Sequence, residues 1–155
     1  IALAEAGQLP LFPELSDPHM LLEQAARTFA SQAAERQVNL HVQVADKLPD
    51  ISVDPQRISQ VLANLVANAL RHTPAGGMIN LRAFVSTDKA PQAIILEVSD
   101  NGSGFDPAAA EQSGGLAAIR RRVSDLNGRL ELTTRSDVGT SLRVHLPRGQ
   151  NPPKA

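Results

Sequence analysis

Apolar residues recur along this chain with two periods, three to four positions in some segments and two in others. The longer period, within residues 17–37, 54–72 and 116–126, predicts three amphipathic helices. Asp17 and Asp54, each followed by proline, are typical of helix starts, because a carboxylate caps free amides and proline fits the first turn. Asn127 and Gly128 end the third helix in the manner of a left-handed cap.

Alternation of apolar and polar residues predicts six strands between and after these helices. They cover residues 40–45, 51–53, 78–86, 93–99, 129–134 and 140–146. The polar turn at 87–91 makes the strands on either side of it an antiparallel pair. The order of elements predicts an α+β fold, a two-layer sandwich in which helices cover one face of a mixed, mostly antiparallel sheet.

Glycine and proline residues divide the chain into three parts. Residues 1–16 contain a glycine and two prolines and are interpreted as an irregular lead-in, and residues 148–155 as a flexible tail. Residues 17–147 form the domain. A length of 155 residues, 42% of them hydrophobic, suits one core. With four Phe and no Trp or Tyr, aliphatic side chains must fill that core.

Charge and cysteine content narrow the function. A formal net charge of -1 gives no field that would collect nucleic acid. The absence of Cys excludes disulfides and thiolate metal sites, so the cytoplasm is the expected location. No run approaches the roughly 18 apolar residues of a membrane helix, and no direct membrane contact is expected of this piece. Because it begins at Ile1, we expect it to be cut from a larger protein, which is itself expected to be a membrane-bound sensor.

Three polar residues share one face of the second predicted helix. Asn64, Asn68 and Arg71 are four and three positions apart, beside the aliphatic stripe. Each amide would cost about 1–3 kcal/mol if it were buried without a partner, so something polar should meet it. A magnesium-bound phosphate group fits, because an amide oxygen suits a hard cation that keeps most of its waters. A solvated face with ordinary Asn explains this observation equally well.

A glycine-rich segment comes directly after the strand predicted at 93–99. Runs such as Asp100, Asn101 and Gly102 usually only reverse the chain. The residues after this run do not alternate as a second strand would, so the loop is long and exposed. A carboxylate at a strand end can accept a hydrogen bond from an exocyclic amine, and Gly102 and Gly104 would let a ligand lie against the backbone. Such a site would favour adenine over guanine, whose oxygen would face the carboxylate.

Gly114 and Gly115 precede the third helix, where free amides and the helix dipole attract anions such as phosphate. Glycines often precede helices without any ligand, and for this pair taken alone that interpretation is preferred. The run 120–122 is three arginines, which we interpret as a solvated face rather than a phosphate clamp.

Taken together, four segments resemble the motifs of sensor histidine kinases. Residues 60–74 resemble the N box, 100–105 the first glycine box, 115–119 the second, and 137–144 the closing strand. The motifs occur in the family's order and cover most of 17–147, which is far more specific than any one of them. The resemblance implies the Bergerat ATP-binding fold of the GHKL superfamily, which gyrase, a heat-shock chaperone and mismatch-repair ATPases share.

The resemblance also implies roles for the residues of the second helix. Asn68 would coordinate Mg²⁺, with Asn64 in support, and Arg71 would stand near the phosphates, so that Asn68 and Arg71 carry the catalysis. His72 falls where the family often has an aromatic residue beside the adenine. A surface position at the helix end explains this histidine equally well.

Further roles are implied for the loops. Asp100 would bind the adenine amine, and Thr140 would support that contact. Glycines and one leucine would shape the rest of the pocket: Gly102, Gly104, Gly114, Gly115 and Leu116. The chain departs from the family at Ala117, where a further glycine is common, and in the short loop 106–113, which has no second Phe. We therefore expect a compact lid, although its three alanines also suit a short helical turn.

The phosphate acceptor of the family is missing from this chain. Family members phosphorylate a His that an acidic residue follows, whereas the four histidines here precede Met, Val, Thr and Leu. The target is therefore expected upstream, and residues 1–16 resemble the segment after the dimerisation helices. We predict a domain that binds Mg-ATP and positions its γ-phosphate for transfer to a histidine of its own upstream dimerisation domain. A response regulator would be the next partner.

Two alternatives stay open. A Ser-directed kinase or an ATP-gated ATPase would have the same fold, although the lead-in favours a histidine kinase. A degenerate interaction module would bind no nucleotide, and against it stand Asn68, Asp100 and Gly104.

Overall fold

The computed structural model describes residues 10–86, 93–102, 115–135 and 139–147. Three helices and seven strands occupy these ranges. In chain order they are β1 (Glu14–Ser16), α1 (Pro18–Glu35), β2 (Asn39–Val44), β3 (Ile51–Val53), α2 (Pro55–His72), β4 (Met78–Val85), β5 (Ala93–Asp100), α3 (Gly115–Asp125), β6 (Arg129–Arg135) and β7 (Gly139–Pro147). Every predicted helix and strand is present, with ends within two residues of the predicted ones.

Five strands form the main sheet, in the order β2-β4-β5-β7-β6. Only β2 and β4 are parallel, and the other three pairs are antiparallel. The predicted α+β sandwich with a mixed, mostly antiparallel sheet is confirmed. Within the described ranges, no helix has the length and apolar character that crossing a membrane requires.

The lead-in is more ordered than its composition suggests. Residues 14–16 were expected to be irregular, but they form β1, which pairs with β3 in a separate antiparallel ribbon. Three residues are too few for a period of two to be recognised, so the pairing partner decides this strand.

The helices cover one face of the sheet because one side of each strand is aliphatic. In β4 and β7 the positions that face the helices are more buried than those between them, as the period of a strand requires, whereas β5 is also buried on its outer face at Ile95 and Glu97. Phe29 is the one aromatic residue among the buried side chains that the structure describes. The sheet contributes the following buried residues to the core: Ile79, Leu81, Ala83, Ile94, Leu96, Val98, Leu130, Leu142, Val144 and Leu146.

The opposite face of the sheet has a charged ladder in place of helices. Glu97 is only 2% exposed, and its carboxylate accepts hydrogen bonds from Arg82 Nη1 at 3.0 Å and Arg143 Nε at 2.6 Å. The two guanidinium groups lie 4.9 and 5.4 Å from the ring centre of Phe84, within the range of cation–π attraction. Buried charge on this face is therefore paired on both sides, as a buried carboxylate requires.

Asp54 joins the lead-in to the start of α2. Its Oδ1 accepts the amides of Gln56 at 3.0 Å and Arg57 at 3.2 Å, which caps the helix as predicted. Its Oδ2 accepts the amide of Phe12 at 3.0 Å, 42 residues away in sequence. Burial alone would raise the pKa of this carboxyl, but the three amides and the charge of Arg57 outweigh it and hold the pKa below 3.8.

We expect Asp54→Ala to lower the free energy of unfolding by about 1–2 kcal/mol at neutral pH, because three amides lose their acceptor. A depressed folded-state pKa means that this stability is present above 3.8 and is lost as pH falls through the folded value. Urea unfolding of parent and variant at neutral pH and at pH about 3 measures both effects. Asp17→Ala is the control, because Asp17 is exposed and caps α1 through the amide of His19 alone. An equal loss in the two variants would contradict the role of Phe12.

Candidate functional site

Three polar side chains end the otherwise aliphatic inner face of the sheet. Asp100 of β5 is paired with Thr140 of β7, which is paired in turn with Thr134 of β6. Residues paired in register point to the same face, so all three side chains lie on the helix side. The next residues inward along β5 and β7 on that face, Val98 and Leu142, are buried and apolar. The sheet therefore presents a polar row at one end of its core.

The carboxylate of Asp100 is half-buried in this row. Its Oδ1 accepts the amide of Gly102 at 2.9 Å, and the amide of Thr140 also donates to it. Burial raises the pKa of Asp100 above 3.8, while the two amides and the charge of His72 act in the opposite direction. Two oxygens accept more hydrogen bonds than two amides supply, so the group retains capacity for a donor from a ligand.

The amide face predicted on α2 is present. Asn64 and Asn68 are half-buried and Arg71 is exposed, and Arg71 Nη2 donates to Asn68 Oδ1 at 3.3 Å. The contact confirms that Asn68 and Arg71 share a face. No group of three or more His, Cys, Asp or Glu side chains able to hold a metal occurs in the part of the chain that the structure describes.

Gly102 brings the carboxylate and the amides together. A Cβ on Gly102 would lie closer than 3.0 Å to the carbonyl oxygen of His72, the last residue of α2. The turn after β5 therefore packs directly against the end of the helix that carries Asn68, one turn or about 6 Å before His72. His72 itself is half-buried at this junction.

Gly139, at the start of β7, also packs against the turn after β5. Its φ of +129° is one that side chains rarely allow, and a Cβ there would lie closer than 3.0 Å to the carbonyl oxygen of Asp100. Asn101 ties the turn to β4, because its Oδ1 accepts the amide of Met78 at 2.8 Å. The end of β5 that carries Asp100 is therefore in contact with α2, β4 and β7.

The remaining predicted site residues belong to the second glycine box. Gly115 is the first residue of α3, and Leu116 is 4% exposed with its side chain in the core, so its backbone alone is available to a ligand. Gly104 and Gly114 lie outside the described residues, as does the expected compact lid.

The three consecutive arginines of α3 differ in their surroundings. Arg121 and Arg122 are exposed, as predicted for a solvated face. Arg120 is half-buried, and its Nη1 donates to the carbonyl of Leu130 at 3.1 Å, so it joins α3 to β6.

A separate groove lies between β1 and the start of α1. Leu15, Met20, Leu21 and Arg27 are among the residues that line it, and none of the predicted site residues does. Leu15 and Met20 are 53% and 67% exposed. This groove is distinct from the polar row.

Thr134 and the constraint at Gly139 are features of the site that no sequence motif indicated. Thr134 Oγ1 lies 3.1 Å from Thr140 Oγ1. The period of two in β6 placed Thr134 on the same side as Leu130 and Leu132, but its neighbour across the sheet is decided by the pairing of β6 with β7.

We expect Gly139→Ala to lower the free energy of unfolding by at least about 2 kcal/mol, because strain at positive φ adds to overlap with Asp100. Gly76→Ala is the matched control, since Gly76 has φ +88° but nothing within 4 Å of an added Cβ. The control should lose about 1 kcal/mol from strain alone. Urea unfolding measures both, and equal losses would show that the close approach at Gly139 carries no cost.

Comparison with known proteins shows the family to which the chain belongs. Residues 53–150 match the family of histidine kinase-, DNA gyrase B- and HSP90-like ATPases. The chain is 37% identical over 144 residues to the adaptive-response sensory kinase SasA of Synechococcus elongatus, covering 82% of this chain and 36% of that protein. It is 31% identical over 161 residues to the sensor protein TorS of Escherichia coli, covering 92% of this chain and 17% of that protein. The chain thus spans only a part of each relative.

Solved structures give the same result. Full-length ShkA in complex with AMPPNP superimposes with a TM-score of 0.82 at 26% identity, over 96% of this chain and 34% of that one. The histidine kinase AdeS of Acinetobacter baumannii has the same fold, with a TM-score of 0.79 at 22% identity, over 96% of this chain and 74% of that one. This chain therefore belongs to the family of histidine kinase-, DNA gyrase B- and HSP90-like ATPases, and its relatives within that family are sensor histidine kinases.

Proposed function

We propose that this chain binds Mg-ATP and donates the γ-phosphate to a histidine on a separate dimerisation domain, as the catalytic domain of a two-component sensor histidine kinase. The observation that carries the proposal is the packing of Gly102 against His72. It places the Asp100 carboxylate beside the end of the helix that carries Asn64, Asn68 and Arg71. A base-binding group and phosphate-binding groups then lie on adjoining elements.

Asp100 would select the nucleobase. Its carboxylate can accept a hydrogen bond from the exocyclic amine of adenine, and it would meet an oxygen in guanine, which it cannot satisfy while ionised. Thr140, paired with Asp100 and 3% exposed, would support the ring beside that amine. Gly102 would shape the pocket by letting this turn approach the end of α2, because a Cβ there would overlap the carbonyl of His72.

Asn68 and Asn64 would hold the metal that accompanies the nucleotide. Amide oxygens suit Mg²⁺, which keeps several waters and takes its other oxygens from phosphates. Bound Mg²⁺ would neutralise phosphate charge during transfer. In the structure Asn68 Oδ1 accepts a hydrogen bond from Arg71 Nη2. When Mg²⁺ is bound, Arg71 would share this oxygen with the metal or turn its guanidinium to the phosphates.

The backbone amides at the start of α3, at Gly115 and Leu116, are suited to phosphate because they and the helix dipole attract anions. Together these groups position the γ-phosphate and stabilise its charge, which is most of what phosphoryl transfer asks of a protein.

The same proposal implies the partners. Residues 1–16 would lead in from the dimerisation helices, residues 17–147 would be the catalytic domain, and residues 148–155 a tail. Leu11, Phe12, Leu15 and Met20 expose 37–68% of their surface within ten residues of one another at the lead-in. Leu15 and Met20 line one groove, and exposed apolar side chains of this kind are typical of interfaces, which supports contact with the upstream domain. A response regulator in the cytoplasm would receive the phosphate.

We expect calorimetry with AMPPNP to give binding to the parent chain that magnesium strengthens. Asp100→Ala should weaken binding at least about tenfold, because a charged acceptor of a hydrogen bond is lost. Asn68→Ala should reduce the difference between titrations with and without magnesium, because a metal ligand is lost. The two variants therefore separate base recognition from metal binding.

Matched control variants remove the same types of side chain, an amide and a carboxylate, at positions away from the proposed site. Asn80→Ala removes an amide that is paired in register with Ser99, on the sheet face away from α2, and Asp46→Ala removes an exposed carboxylate beyond β2. Both should bind like the parent. If Asn68→Ala and Asp100→Ala also bind like the parent, the site assignment is wrong.

Phosphoryl transfer needs a separate experiment. When the parent is mixed with its upstream helices and ATP, we expect a phosphate that is labile in acid and stable in base, as for phosphohistidine. The Asn68→Ala chain should label the same helices much more slowly. An acid-stable product would point to a serine kinase of the same fold, ATP hydrolysis without label to an ATP-gated ATPase, and the absence of nucleotide binding to an interaction module.

A further inference from the structure

The contact between the two threonines of the polar row suggests a role for a residue that no motif contains. Thr134 Oγ1 and Thr140 Oγ1 are 3.1 Å apart, a hydrogen bond in which either oxygen can be the donor. Thr140 is 3% exposed and Thr134 is half-buried. The pair lies in the same row as Asp100, at the polar end of the inner face.

The number of protons on this pair determines what Thr140 can do. A threonine hydroxyl has one proton and two lone pairs. If Thr140 gives its proton to Thr134, it has none left for a ligand. If Thr134 is the donor, the Thr140 proton is free to point toward a neighbouring acceptor. The orientation of one hydroxyl therefore depends on the other.

We propose that Thr134 is a positioning residue for nucleotide binding: it donates to Thr140 Oγ1 and so directs the Thr140 proton to the ring nitrogen beside the adenine amine, directly or through one water. This inference rests on the proposed function, in which Asp100 accepts the amine. Asp100 and Thr140 then present an acceptor and a donor side by side, and the amine and the adjacent ring nitrogen present the complementary donor and acceptor.

Three substitutions separate this role from a structural one. Thr134→Val keeps the shape and the strand preference but removes the hydroxyl, and Thr134→Ser restores it. Thr133→Val is the matched control, because Thr133 is the exposed neighbour that points to the opposite face. Thermal unfolding of each variant verifies that it is folded.

The ligands supply the readout that stability cannot. Affinity is measured by calorimetry for ATP and for its 1-deaza analogue. In this analogue C–H replaces N1, the nitrogen of the six-membered ring beside the amine. We expect Thr134→Val to weaken ATP binding about three- to tenfold, the range of one neutral hydrogen bond. The same variant should bind the deaza analogue within about twofold of the parent, because the contact that Thr134 supports is already missing. Thr134→Ser and Thr133→Val should match the parent for both ligands.

The outcomes are distinct. Equal weakening for both ligands would overturn the proposal in favour of a structural role, and so would unchanged ATP binding in Thr134→Val. If Thr134→Val does not fold, the comparison is made with Thr134→Ala, and the same ratio of the two affinities decides. A parent that binds neither ligand would overturn the proposed function itself and this inference with it.

Discussion

The Asp100 carboxylate lies at the end of an aliphatic sheet face, and this partial removal of a charge from water is the constraint on which the site depends. Burial raises the pKa of this carboxyl, and its charged form requires hydrogen-bond donors. The amides of Gly102 and Thr140 supply two of them. The turn after β5 positions the first amide, and the pairing of β5 with β7 positions the second. The chemistry of the site and the end of the core are therefore one feature.

Close backbone approach makes this arrangement rigid. Gly102 lies against the last carbonyl of α2, and Gly139 against the carbonyl of Asp100, so neither position has room for a side chain. The helix with the amides is held at its other end as well, where Asp54 caps it and accepts the amide of Phe12. Because a helix is stiff along its axis, α2 connects the lead-in to the turn that holds Asp100 as one body.

The two faces of the sheet solve different physical problems. The inner face is aliphatic and is covered by three helices, and its polar side chains are gathered at one end, at Asp100, Thr134 and Thr140. The outer face has no helix among the described residues, and its buried Glu97 is satisfied by two arginines that also cover Phe84. The guanidinium groups thus lie over the ring of Phe84 while their charges stay paired with Glu97.

The sequence by itself determined the elements and the chemistry within each one. Periodicity placed the three helices and six of the strands, Asp54 marked a helix start, and spacing put Asn68 and Arg71 on one face, because all of these are local properties of the chain. Only the tertiary structure decided what lies beside what. It formed β1 by pairing it with β3, turned Asp54 toward Phe12, and brought Thr134 to Thr140 across two strands. Such contacts join residues that are distant in sequence or belong to different strands, and a period of two fixes only the face to which a residue points, so the pairing and packing of the elements select them.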